Sequence, residues 1–148
     1  MKNLLLALVS ICAFSVSAIA DHGDLERQSA ETSQQTRVLY FEAQQVVGYY
    51  PTYHQRYALE HIQFMDRSAL RLLQTIRMAM RSEANGARDH AHDNLIRQAY
   101  SRLEHDAYYA RSTFDNLFVG RDHASYERLD RILDNVEHLI REMRFNLP

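Results

Sequence analysis

The sequence predicts an all-α protein, an antiparallel four-helix bundle, and three observations carry that reading. Chain breakers are scarce: past residue 23, Gly48, Pro51, Gly86 and Gly120 are the only ones before the terminal Pro148. They fall between long stretches, which favours long helices with short connections. Within those stretches apolar residues recur at alternating spacings of three and four, the mark of a helix with one buried face. No apolar/polar alternation of strand length occurs. The first stripe is weak, so a three-helix bundle with a loose N-terminal helical arm is the other arrangement compatible with the pattern.

The chain opens with the three parts of a cleavable secretory signal. Lys2 supplies a positive start, Leu4 to Val16 an apolar run, and Ala18-Ile19-Ala20 a small-x-small cleavage site before the chain turns polar at Asp21. The apolar run is shorter than the ~20 residues needed to cross a bilayer. The expected division is therefore a signal over 1–20 and one helical domain over 21–148, acting in the periplasm or outside a bacterial cell. Removing 20 of the 148 residues takes away the one Cys, Cys12, and the one Lys, Lys2. A domain without Cys has no disulfide, no thiol nucleophile, no thiolate zinc site and no c-type haem attachment.

With Lys2 gone the net charge moves from −2 to −3. A general nucleic-acid binder carries the opposite balance, so no nucleic-acid partner is expected. Nor is a stable membrane span, since no second long apolar run exists.

Residues 24–37 are polar and compatible with helix but carry almost no apolar stripe. From Val38 the character changes: Val38, Leu39, Tyr40, Phe41, Val46, Val47, Tyr49 and Tyr50 crowd together before Pro51. Thr52 and Gln55 then form a capping box, the spacing at which a hydroxyl and an amide satisfy free backbone donors of a helix start. The second helix carries Ala58, Ile62, Met65, Ala69, Leu72, Ile76 and Ala79 and ends at Asn85-Gly86. The third starts near Asp89 or Asp93 and carries Ile96, Ala99, Leu103, Ala107, Ala110, Phe114 and Leu117, closing at 118–120. Asp122 is the expected cap of the fourth, whose stripe is Tyr126, Leu129, Leu133, Val136, Ile140 and Met143.

Two places stand out as candidate sites. The first is aromatic: Tyr40, Phe41, Tyr49, Tyr50, Tyr53 and Tyr57, with Tyr100, Tyr108 and Tyr109 added from the third helix. Tyr offers a large ring and a wet hydroxyl, and with Arg it dominates binding hot spots. That end of the molecule is read as an interface for a protein partner or for self-association; otherwise its rings would plug the open end of the bundle. The second is the turn Asp89-His90-Ala91-His92-Asp93, two imidazoles and two carboxylates suited to Zn or Cu. Side chains two apart diverge on a helix, so this set converges only if the segment is a loop or a frayed turn.

The acid–His neighbours Glu104-His105-Asp106 and Glu137-His138 read as surface residues, because adjacent helical side chains point apart. No nucleophile elbow, phosphate loop or metalloprotease helix occurs. The expectation is a non-enzymatic protein-binding module without a cofactor, of adaptor, chaperone or inhibitor type. The alternative is a metal-binding or metal-sensing protein built on the His-rich turn.

Overall fold

A computed structural model describes the backbone over residues 2–86, 90–120 and 123–148, and side chains over 22–86, 90–120 and 124–148. It is an all-α four-helix bundle: α1 is Lys2–Val47, α2 Tyr53–Ala84, α3 His90–Thr113 and α4 Tyr126–Met143. Short 3-10 turns over Phe114–Phe118, His123–Ser125 and Arg144–Asn146 complete the helical structure. Among the described residues no helix is long and apolar enough to cross a membrane.

Cross-links between helices give the topology. Descending α1 and climbing α2 come the pairs Arg77–Glu26, Arg37–Asp66 and Gln63–Tyr40. From α2, Gln55 meets Leu117 in the turn after α3, and Ser68 meets Asp106 on α3. Arg128–Glu42, and Asn146–Gln28 from the turn after α4, tie this end of the chain to α1, again with opposite sequence order. Each neighbour therefore runs antiparallel to the last, up, down, up, down, as short connections require.

Leu39, Ile62, Met65, Leu72, Ile76, Ile96, Leu103, Leu129, Leu133 and Val136 form one continuous core. The expected stripes of α2, α3 and α4 lie on it. The weak first stripe is where the structure adds most. His22, Leu25, Ser29, Thr32, Thr36, Leu39, Ala43 and Val47 are all buried, and their spacing follows the same three-and-four alternation. Residues 29–36 of α1 thus pack into the bundle through an inward face of small polar side chains. Thr32 and Thr36 donate their hydroxyls back to the carbonyls of Gln28 and Ser33, so burying them leaves no unmet donor. His22, second after the expected cleavage point, lies with Nδ1 3.0 Å from Glu83 Oε2 and closes α1 onto the far end of α2.

The capping box forms: Gln55 N donates to Thr52 Oγ1, and Thr52 N donates to Gln55 Oε1. The same Gln55 amide donates to the Leu117 and Val119 carbonyls, so one buried side chain starts α2 and holds the turn after α3. Gly48 (φ 70) and Gly86 (φ 82) take the left-handed conformation that stops α1 and α2, where a side chain would be strained. The third helix ends at Thr113, sooner than the stripe suggested, and its last apolar residues continue in the tighter 3-10 turn. The expected cap Asp122 lies outside the described residues.

The seam between α3 and α4 differs from the others. Their backbones approach least closely, and long polar side chains span the space. Arg111 donates to Asp130, Asp134 and Glu137 on successive turns of α4. Arg144 donates to Glu104, and Arg97 to the Pro148 carbonyl. Burial works against the Arg111 charge, but its hydrogen bonds to Glu137 and Asp130 and the charges of Glu137 and Asp134 outweigh it and raise its pKa further.

Candidate partner-binding surface and groove

The aromatic residues grouped by sequence separate into different places. Tyr40 is half-buried against α2, its hydroxyl accepting from Gln44 and Gln63 at 2.9 Å each. Phe41, beside it at 6.0 Å, is exposed. Tyr49 and Tyr50, 98 % and 91 % exposed, stand in the connection leading into α2. Tyr53 and Tyr57 continue onto α2 itself, stacked at 6.4 Å and 12°.

From Tyr57 a chain of rings crosses to α3. Tyr57 meets His61 edge to face at 4.5 Å, and His61 stacks on Tyr109 at 5.4 Å and 19°. Tyr109 in turn meets His105 at 4.7 Å and Tyr108 at 5.5 Å, while Phe64 approaches His61 at 6.2 Å. Tyr53, Tyr57, Phe64, Tyr108 and Tyr109 are all exposed. The His61 Nε2 is buried without a hydrogen-bond partner among the described residues, and the rings of Tyr57, Phe64 and Tyr109 pack around the imidazole. Sequence reading missed His61, Phe64 and His105 as members of this strip. The signal was there: 53, 57, 61 and 64 step along α2 at spacings of four and three, one helical face.

The strip does not plug the bundle. That task falls to Phe114, Phe118 and Tyr126, whose rings lie 4.9 to 5.6 Å apart, with Phe114 and Phe118 fully buried. Tyr100, expected with the surface tyrosines, is buried on the α4 side of α3. Its hydroxyl lies 2.9 Å from both the Ile140 carbonyl and Glu104 Oε1. Burial first, then the hydrogen bond and charge of Glu104, push its pKa up to about 12, with Arg144 pulling the other way.

Beyond the strip, the same two helices form a groove of about 360 Å³ lined by Ser68, Arg71, Thr75, Met78, Leu95, Gln98, Ala99 and Arg102. Two of these residues hold Asp106, 5 % exposed, which accepts from Ser68 Oγ at 2.5 Å and Arg102 Nε at 3.2 Å. This corrects the surface reading of Glu104-His105-Asp106. Asp106 falls on the inward face because 103, 106, 107 and 110 share it, and Ser68 with Arg102 supply the partners a buried carboxylate needs.

At the His-rich turn, Asp89 lies outside the described residues. His90 Nδ1 comes within 3.5 Å of Asp93 Oδ2, one turn along α3, with His90 fully solvated. His92 is half-buried, and among the described residues no hydrogen bond or ion pair joins it to that pair. Among the described residues no three His, Cys, Asp or Glu side chains gather closely enough to hold a metal ion.

Set against known protein families, curated proteins and solved structures, the chain matches none of them.

Proposed function

We propose that the protein is an exported, non-enzymatic helical protein-binding module, an adaptor, chaperone or inhibitor, whose partner surface is the aromatic strip of α2 and α3. One observation carries the reading. Tyr53, Tyr57, His61, Tyr109 and Tyr108 make an unbroken run of ring contacts across two helices, with most of its members exposed. An exposed apolar surface of that continuity is costly in water and is characteristic of interaction sites. Rings restrained by one another also lose little freedom when a partner lands on them, which favours hot-spot use. The secretory signal over residues 1–20 supports action in the periplasm or outside the cell, and the tyrosines Tyr49 and Tyr50 extend the surface toward α2 from its connection.

The test is capture of a partner from periplasmic extract by the tagged protein, with Tyr53→Ser, Tyr57→Ser and Tyr109→Ser combined in one variant. These positions are on the surface, so the variant keeps its helical content. Loss of a specifically captured protein is the expected result. Full retention of that protein by the triple variant overturns the placement of the surface.

A further inference from the structure

We propose that the groove continuing from the strip along α2 and α3 seats an acidic amphipathic helix of the partner. This rests on the protein-binding reading and names the partner's chemistry. Met78 and Leu95, each about half exposed, and Ala99 offer an apolar floor at the end away from the rings. Above it stand two guanidinium groups, Arg71 on α2 and Arg102 on α3. Arg71 has no partner among the described residues. Arg102 gives Nε to Asp106, and its two terminal nitrogens bond to nothing described. Asp106, which Arg102 reaches, is buried and already held by Ser68 and Arg102.

The lining is therefore cationic in a chain whose formal net charge is −2. Several other arginines are matched: Arg111 by three acids, Arg37 by Asp66, Arg77 by Glu26, Arg128 by Glu42, Arg144 by Glu104. A carboxylate-bearing partner is drawn to this groove and repelled by the acidic remainder, which gives both affinity and placement. Shape selects a helix. The groove lies between two antiparallel helices, where ridges of a third helix interdigitate, and among the described residues no strand edge offers pairing to an extended segment. From Tyr57 to Met78 the face is ~30 Å long at 1.5 Å per residue. One helix of ~20 residues thus meets the rings with one end and the arginines with the other.

The experiment is fluorescence anisotropy of the purified protein with a labelled helical peptide of ~16 residues, Leu along one face and Glu on its flanks, beside a twin with Lys for every Glu. The acidic peptide binds and the basic twin does not. Arg71→Glu weakens binding by about tenfold or more, since it turns an attraction into a repulsion, and Met78→Glu does the same from the floor. Equal binding of both peptides, or an unchanged affinity in Arg71→Glu, overturns the proposal. If the acidic peptide fails while Tyr53-dependent capture of a partner persists, the groove's role falls and the protein-binding reading stands. If Arg71-dependent peptide binding persists while the tyrosine variant captures its partner in full, the strip falls instead.

Discussion

His61 on α2 lies nearly face to face with Tyr109 on α3, ring centroids 5.4 Å apart and planes 19° apart. It is the contact through which the aromatic strip passes from one helix to the next. A double-mutant cycle of His61→Ala and Tyr109→Ala, read by urea unfolding, is expected to give a coupling of ~0.5–1.5 kcal/mol, the usual worth of an aromatic pair beyond its buried area. Strict additivity of the two changes would mean that the rings are adjacent but do not support each other.

Asp66 is buried, with Arg37 Nε donating to both of its oxygens at 3.1 Å and Thr36 Oγ1 donating at 3.3 Å. Asp66→Ala removes the acceptor that ties α1 to α2 here; Thr36 keeps its bond to the Ser33 carbonyl, while Arg37, about half exposed, turns to water. The expected cost is ~1–3 kcal/mol in denaturant unfolding. A loss below a few tenths would show that this bond is replaced by solvent.

Tyr100 predicts a pH dependence. Its pKa in the fold, about 12, stands above the ordinary value of 10.0. The neutral phenol is the form the fold favours, so its contribution is complete below pH 10 and fades as pH climbs from 10 to about 12. The loss is up to roughly 2–3 kcal/mol. Tyr126, raised by its hydrogen bond to Asp115, acts with the same sign. Urea unfolding at pH 8 and pH 11 should show a fall in the protein that Tyr100→Phe largely flattens. An identical fall in both would assign the effect elsewhere.

Arg111 predicts a salt dependence confined to one seam. Arg111→Ala leaves Asp130, Asp134 and Glu137 facing each other on α4. At low salt the loss is expected at ~1–2 kcal/mol, discounted because the guanidinium is partly exposed. Screening at ~1 M salt should shrink the difference between protein and variant. Hydrogen exchange would place the loosening in α4, since α3 keeps its packing on α2.

The contrast between what could be read beforehand and what could not follows from chemistry at single positions. Ile62, Leu72, Leu103 and Val136 announce their faces by hydropathy, so α2, α3 and α4 were legible, as were the Thr52–Gln55 cap and the stop at Gly86. Ser29, Thr32 and Thr36 are polar by type and announce nothing, although their spacing continues that of Leu39 and Ala43. Thr32 and Thr36 are buried with their hydroxyls bonded within their own helix, a saving no composition scale records. The same holds at Asp106, which looks solvated until Ser68 and Arg102 close on it. The tyrosines were recognised as a surface, but nearness in sequence stood in for nearness in space. Tyr40 and Tyr100 turned to the inter-helix seams, and His61, Phe64 and His105 joined from one helical turn away.

The buried carboxylates of Asp66 and Asp106 have one more consequence. Helices striped every three and four residues can slide past one another by a whole heptad and still bury Leu on Leu. Asp66 finds its donors at Thr36 and Arg37, and Asp106 finds its hydroxyl donor at Ser68, in one alignment each. A slipped neighbour would leave a charge in apolar surroundings without a donor, a penalty of several kcal/mol. Through residues 66 and 68, α2 therefore sets the register of α1 on one side and of α3 on the other, in the manner of two keys cut on a single blade.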